Sequence, residues 1–272
     1  MTGENKEILR EIWEGKLPIR FLLADDEVSA LEQPESLYLL VPRMSYLPLV
    51  TDKVYKHFIR AVNQDCIEEM WFEFEGQPLK WQYPIGALFD LYWGNNVLPW
   101  NLIVHFQKFP ADEILKGGKE AAEFHFISCI KEADSLKHKC HVIHGLQKKD
   151  HKQLWLGLLN DKFDQFWGVN RRLMERVNDE SFRYVPFRLH QVDKPFLQEL
   201  VPTIKEDGSC GNFGDLLEIA LPEAIDEEGK IKKGYRIITQ GIEIPQNTDL
   251  QWMSYHLSYP DNFLHVAVLT DT

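Results

Sequence analysis

The chain has 272 residues, of which 44% are hydrophobic and 26% charged, and its formal net charge at pH 7 is −12. This composition excludes a disordered or collagen-like chain, and the negative charge argues against nucleic-acid binding. No apolar stretch is long enough to span a membrane. The four cysteines form no CxxC pair and the polar N-terminus lacks a signal sequence, so we expect a cytoplasmic protein with reduced thiols.

The first third of the chain alternates between strand and helix patterns. An amphipathic helix over about 4–14 comes first, and the hydrophobic period then changes from about 3.6 to 2. The predicted elements are strands at 17–23 and 37–41, a helix at 47–62, a hairpin with strands at 70–75 and 79–83, a short helix at 85–92 and a strand at 101–106.

Residues 109–180 show no strand pattern and are predicted to form a helical module. Apolar residues three or four positions apart run from Phe126 to Ile143 and predict one long helix. A second helix is predicted around Leu154 and Trp155, and a third around 163–174.

After residue 180 the first pattern returns. The predicted elements are strands at 184–192 and 196–204, a helix at 213–221, a strand pair within 235–244, a short helix at 250–257 and a strand at 263–269. Because the element order repeats, we predict an α+β fold with two ubiquitin-like (β-grasp) domains flanking a helix-rich domain. The predicted boundaries are 1–15 for an N-terminal helix, 16–108 and 181–272 for the β-grasp domains, and 109–180 for the helices.

The helical module contains residue types that catalyse reactions in other proteins. Ser128 and Lys131 match Ser-x-x-Lys, which on a helix places a serine nucleophile beside a lysine, but the accompanying Ser-Asp-Asn and Lys-Thr-Gly segments are missing. Two Cys–His pairs stand four residues apart, and buried packing of their cysteines is the simpler explanation. We therefore expect no catalytic residues and keep a hydrolase as the alternative. The pairs are His125 with Cys129 and Cys140 with His144.

The same module has a basic stretch with several histidines. Between 131 and 152 there are six lysines against three acidic residues, which is either a solvated helix face or a docking surface for an acidic partner or anionic lipid. The nearby histidines lack the HExxH pattern, so we expect no metal site, and without a phosphate-binding loop we expect no cofactor. These histidines are His138, His141, His144 and His151.

Ubiquitin-like modifiers that become conjugated carry an activated C-terminal glycine, whereas the last residues here are Leu269-Thr270-Asp271-Thr272. If the β-grasp domains work in conjugation, we expect the chain to be a substrate or scaffold and not the activated tag.

Long stretches of the chain resemble the autophagy protein 5 family. They cover nearly the whole chain: PRMSYLPLVTDKV, WFEFEGQPLKWQYPIGALFDL, LPWNLIVHF, CIKEADSLKHK, KKDHKQLWLGLLNDKFDQFW and LSYPDNFLHVAV. The resemblance implies two ubiquitin-like domains around a helical domain, in agreement with the period analysis.

The resemblance also implies a covalent partner, the ubiquitin-like autophagy protein 12. Its C-terminal glycine would join Lys131, the lysine of the Lys-Glu-Ala-Asp motif, through an isopeptide bond made by the conjugating enzymes of the pathway. The segment 116–152 holds eight lysines, so spacing does not choose among them. An adaptor that is never conjugated is a further alternative.

A second implied partner is the N-terminal helical segment of autophagy protein 16. The resulting complex would promote lipidation of the autophagy protein 8 family on phosphatidylethanolamine and would lie peripherally on the preautophagosomal (phagophore) membrane. We expect the helix to bind a groove with aromatic and arginine anchors, for which Arg43, Trp81 and Trp252 are the candidates. Both tryptophans could instead be core residues.

Overall fold

The computed structural model describes residues 3–92, 97–175 and 181–270, which form two compact units. The first unit consists of residues 15–124. The second unit combines the residues up to Glu14 with those from His125 onward. The predicted domain boundary at residue 180 lies outside the described residues.

The unit of residues 15–124 contains a five-stranded mixed sheet. Its strands are β1 (Lys16–Leu23), β2 (Leu37–Pro42), β3 (Trp71–Phe74), β4 (Gln77–Pro78) and β5 (Trp100–His105). Their order in the sheet is β2-β1-β5-β3-β4, with β1 parallel to β5 and the remaining neighbours antiparallel. Alternate residues of β1 from Leu17 to Leu23 are buried, so one face of the sheet packs against the helices and forms the core. The helices of this unit are α2 (Leu47–Val50), α3 (Asp52–Phe58) and α4 (Ile85–Tyr92).

Two predicted elements of this unit are wrong in detail. The helix predicted over 47–62 is split, because the Thr51 hydroxyl donates to the Leu47 carbonyl and α3 starts anew at Asp52. The second hairpin strand is Gln77–Pro78 only, and residues 79–83 form a turn. Their alternating apolar residues pack on the core from that turn, not from a strand.

The other unit holds the helices that follow. They are α5 (Lys119–His138, which begins within the first unit), α6 (His141–His144), α7 (Lys148–Leu159) and α8 (Phe163–Met174). The single long helix predicted from Phe126 to Ile143 is wrong, because Lys139 and Cys140 adopt left-handed backbone angles with φ of 54° and 66°. This reversal ends α5 and lets α6 start in a new direction.

The N-terminal helix α1 (Gly3–Trp13) packs within this second unit. Trp13 is buried against the rings of Phe163 and Phe166, with a centroid distance of 4.9 Å to the latter. Arg10 donates to both carboxylate oxygens of Asp164 at 2.8 and 2.9 Å. Apolar contact with α8 therefore holds α1 in place, and the exposed ion pair adds little.

The second unit ends in a four-stranded sheet with two further helices. Its elements are β6 (Phe187–His190), α9 (Phe213–Ala220), β7 (Tyr235–Thr239), β8 (Ile242–Glu243), α10 (Leu250–His256) and β9 (Leu264–Thr270). The strand order is β6-β9-β7-β8, in which β6 and β9 are parallel. In both sheets the strands that come first and last in the chain are parallel neighbours, β1 with β5 and β6 with β9. In both, a short antiparallel hairpin lies next to the last strand, formed by β3 and β4 or by β7 and β8.

The strand predicted over 196–204 is wrong. Leu197 pairs with Leu189 and Pro202 with Tyr184 as isolated bridges, and the segment forms no continuous ladder. Proline lacks the N–H that a ladder needs, which limits pairing there. In the part of the chain that the structure describes, the second sheet therefore has no counterpart of β2.

Within the described ranges, no helix combines the length and apolarity required to cross a bilayer.

Candidate functional site

The Lys131-Glu132-Ala133-Asp134 motif forms one turn of α5, and its side chains lie in different surroundings. Lys131 is exposed, and its side chain makes no hydrogen bond or ion pair with any residue that the structure describes. Ala133 is buried and packs with Cys129 and Phe263. The turn thus faces the second sheet on one side and presents the lysine on the other.

Arg188, from β6, holds Glu132 of this motif. Its Nη2 donates to Glu132 Oε2 at 3.0 Å, and its Nε donates to Gln198 Oε1 at 3.3 Å. Gln198 in turn donates from Nε2 to Glu132 Oε1 at 2.7 Å, so both carboxylate oxygens are occupied. The Arg188 guanidinium carbon lies 4.1 Å from the ring centre of Phe263, and Nη1 lies 3.5 Å from Cys129 Sγ.

Asp134 is buried and anchors the end of the helix. One carboxylate oxygen lies 2.8 Å from His138 Nδ1, and the other accepts from the backbone N–H of Ile143 at 2.8 Å. Asp134 follows Lys131 by three residues, or about one helical turn. In the structure its carboxylate binds α6 instead.

Lys137 is buried, in contrast to the other lysines of the motif region. Its Nζ lies 2.8 Å from Met174 Sδ and 4.9 Å from the ring centre of Phe182. Burial lowers the pKa of Lys137 to about 7, although the charges of Asp134 and Asp261 oppose the shift. Lys137 is therefore inaccessible to a carrier enzyme and is not part of any docking surface.

The remaining lysines of the 131–152 stretch are exposed, so the basic stretch is a surface feature with five members. These are Lys131, Lys139, Lys148, Lys149 and Lys152.

Burial opposes the activation of Cys129, one of the residues of the hydrolase alternative. Ser128 is exposed on α5, one turn from Lys131. Cys129 Sγ lies 3.5 Å from His125 Nε2, as the spacing predicts, but burial raises the pKa of the Cys129 thiol to about 12. A thiol that stays protonated is a poor nucleophile. Cys140 is part of the helix reversal and directly precedes α6.

The histidines of this region do not form a ligand cluster. In the ranges that the structure describes, no three His, Cys, Asp or Glu side chains converge in a way that could hold a metal ion. His138 binds Asp134, and its ring lies edge-on to Phe182.

Arg43, a predicted partner contact, forms an internal ion pair in the unit of residues 15–124. Its Nη2 donates to the two carboxylate oxygens of Asp90 at 2.6 and 2.7 Å, and to the Gly86 carbonyl at 3.3 Å. The side chains of Arg43 and Asp90 are only 11% and 3% exposed. Arg43 thus links the end of β2 to α4, and this internal contact does not depend on a partner protein.

Trp81 lies in the same unit and is partly buried. Its indole N–H donates to the Leu115 carbonyl at 2.6 Å, and a Cβ on Gly117 would overlap the ring. The ring also lines a cavity of about 740 Å³ together with Glu69 and Phe109. Trp81 therefore holds the segment after β5 against the first sheet.

Trp252 lies in the other unit, on α10, and is 42% exposed. Its ring centre is 4.6 Å from that of His256. Of the three predicted contact residues, it is the one whose side chain is most available to a partner.

Arg188 is not among the site residues predicted from the sequence. Alternation in the predicted strand 184–192 places Arg188 and His190 on the face opposite Leu189, so a polar face was visible in the sequence. Only the tertiary structure shows that α5 covers this face and that Glu132 accepts the hydrogen bond from Arg188.

The comparisons with known proteins cover the whole architecture. Family models of autophagy protein 5 match in order: the UblA domain at residues 12–106, the alpha-helical bundle region at 119–176 and the UblB domain at 184–268. Autophagy protein 5 of Drosophila melanogaster is 47% identical over 272 residues, covering 98% of each chain. The Caenorhabditis elegans protein is 32% identical and covers 97% of this chain and 98% of its own.

The crystal structure of Kluyveromyces marxianus Atg5 has the same fold. It superposes with a TM-score of 0.79 at 21% identity, over 98% of this chain and 100% of the other. The predicted fold, two ubiquitin-like domains flanking a helix-rich domain, is thereby confirmed. So is the resemblance drawn from the sequence: the chain belongs to the autophagy protein 5 family and has a role in autophagy.

Proposed function

We propose that the chain is a non-catalytic scaffold of autophagosome formation that is conjugated through Lys131 to autophagy protein 12. The observation that carries the proposal is the contrast within the Lys-Glu-Ala-Asp turn. Glu132, Ala133 and Asp134 are held by internal contacts, whereas Lys131 is exposed. An acceptor lysine has to be accessible and reproducibly placed, and this turn provides both.

The reaction requires no catalytic group in this chain. The neutral Lys131 amine attacks the carbonyl carbon of the modifier's C-terminal glycine, held as a thioester on the conjugating enzyme. The C–N bond forms and the C–S bond breaks, so that sulfur leaves as a thiolate and nitrogen loses its proton to a base. A free lysine is neutral only about once in 2,500 at pH 7, so the carrier enzyme has to favour deprotonation.

Lys131→Arg tests the acceptor. Arginine keeps the charge and helix propensity but its guanidinium stays protonated, so the conjugate should disappear while the fold persists. Lys139→Arg is the matched control, because Lys139 is exposed close by. Lys137→Arg is unsuitable, since it would bury a permanently charged and larger group.

Four outcomes would contradict the proposal. A conjugate that survives Lys131→Arg, or a glycine remnant that mass spectrometry locates on another lysine, refutes the acceptor. A single unmodified species of 31.9 kDa in lysate would favour an unconjugated adaptor. Loss of activity in a folded Ser128→Ala variant would favour the hydrolase.

We further propose that the helical segment of autophagy protein 16 binds this chain, with Trp252 as the principal anchor. An exposed tryptophan on a helix is typical of such hot spots. A pull-down with Trp252→Ala should lose binding. Arg43→Glu should also disturb the fold, so Asp90→Asn serves as its control. If Arg43→Glu and Asp90→Asn lose binding to the same extent, Arg43 acts through its internal ion pair with Asp90. Full binding by Trp252→Ala would show that Trp252 is not the anchor.

The assembled complex then promotes lipidation of the autophagy protein 8 family from the cytoplasm, peripherally on the autophagic membrane. The exposed lysines of the 131–152 stretch support a contact with anionic lipid. Sedimentation with phosphatidylserine vesicles should fall in a Lys148→Glu/Lys149→Glu variant and at high salt. Binding that resists both changes would exclude this surface.

A further inference from the structure

The turn that carries Lys131 is attached to the second sheet at two points one helical turn apart. Arg188 reaches Glu132 with one guanidinium nitrogen and Cys129 with the other, at 3.0 and 3.5 Å. These two positions differ by three residues, or about 4.5 Å along the axis. A single planar group that touches both fixes the rotation of the helix and its position along the axis.

Arg188 is itself immobilised. Its side chain is only 6% exposed, and its guanidinium carbon lies 4.1 Å from the ring centre of Phe263 and 4.9 Å from that of Phe196. Gln198 binds both Arg188 and Glu132, which closes a three-membered hydrogen-bonded set. The arginine is therefore a rigid support and not a mobile surface charge.

Glu132 is 44% exposed at its side chain, so water could solvate it without this arrangement. The solvation of the Glu132 carboxylate therefore does not depend on Arg188, whose own side chain is buried. The effect of the ion pair is geometric, because both oxygens are held in place. At 100° per residue, Lys131 then projects about 130° around the helix from the direction midway between Cys129 and Glu132, away from the sheet.

We propose that Arg188 is a positioning residue for the acylation of Lys131, acting through Glu132. It holds the acceptor turn so that the amine meets the thioester carbonyl in one orientation, and a misplaced amine reacts more slowly even when the two proteins bind normally. The inference rests on the proposed acceptor role of Lys131. It adds that the second ubiquitin-like domain contributes to the acceptor site.

The test is a single-turnover reaction between the full chain, in excess, and the conjugating enzyme loaded with the modifier as a thioester. The dependence of rate on chain concentration separates the maximal rate from the half-saturating concentration. Arg188→Gln and Glu132→Gln should each lower the maximal rate about tenfold and change half-saturation less than twofold. Arg188→Lys, which keeps the charge but lacks the planar fork, should be intermediate.

Two comparisons make the test specific. The double variant Arg188→Gln/Glu132→Gln should be no slower than either single variant, because both remove the same contact. Glu218→Gln removes an exposed carboxylate on α9 of the same unit and should react at the wild-type rate. If Arg188→Gln fails to fold, Glu132→Gln decides, since its side chain is partly exposed.

Maximal rates within twofold of wild type in both single variants, with the conjugate still on Lys131, would refute the positioning role and leave the proposed function intact. Losses that multiply in the double variant would also refute it. A conjugate that persists in Lys131→Arg would overturn both proposals.

Discussion

Replacing the buried Lys137 by methionine should remove a large pH dependence of stability. The lysine amine has no ion pair with a carboxylate that the structure describes, and its nearest polar neighbour is the Met174 sulfur at 2.8 Å. Burial lowers its pKa to about 7 in the folded chain, against an ordinary value of 10.5. Methionine has a similar length and no charge, so it fills the same space.

The sign follows from proton binding. Between the folded pKa and the ordinary value, the unfolded chain binds more protons at Lys137, so its contribution to stability is complete above about pH 10.5 and is lost as the pH falls to about 7. For one group with these two pKa values, the free energy of unfolding rises by about 2 kcal/mol from pH 7 to pH 9. Lys137→Met lacks this rise.

Urea unfolding at the two pH values, followed by tryptophan fluorescence, measures the effect. The free energy of unfolding of wild type minus that of Lys137→Met should increase by about 2 kcal/mol between pH 7 and 9. Taking the difference cancels every other titrating group. Lys139→Met, at an exposed neighbouring site, should show no such change. A wild-type minus Lys137→Met difference that is independent of pH would refute the reasoning.

Two further predictions concern the helical region. Gly157→Ala should destabilise the chain by about 1–3 kcal/mol in urea unfolding, because its Cβ would lie 2.7 Å from the Phe166 nitrogen. Gly118→Ala is the control, since its Cβ meets nothing within 4 Å, and equal free energies of unfolding in the two variants would contradict the packing. Cys129, with its thiol pKa raised to about 12 by burial, should resist iodoacetamide at pH 8 in peptide mass spectrometry while the exposed Cys210 reacts; similar rates would contradict its burial.

The parts of the fold that could be predicted are those with strong local periodicity. Alternation identified β1, β7 and β9, and the 3.6-residue period identified α4 and α8. The errors occur where a distant contact decides. Residues 196–204 alternate like a strand but lack a neighbour for a continuous ladder, and the left-handed angles at Lys139 and Cys140 end a helix whose apolar period continues.

The candidate site was predictable only in part. Lys131 came from the resemblance, because eight lysines in one segment look alike to any local criterion. The burial of Lys137 did leave a signal, since it follows Ala133 by four residues and Ile130 by seven, on the buried stripe of α5. The contact between Arg188 and Glu132 left no such signal in the sequence, because the two residues are 56 positions apart.

The docking of α1 on α8 also has a consequence for the order in which the molecule assembles. Residues 15–124 form a unit of their own, and they interrupt the unit to which α1 belongs. During synthesis this intervening unit can fold as soon as β5 has emerged, whereas Trp13 has to wait for Phe163 and Phe166. A helix near the beginning of the chain is thus among the later elements to pack, and until then its apolar face stays exposed.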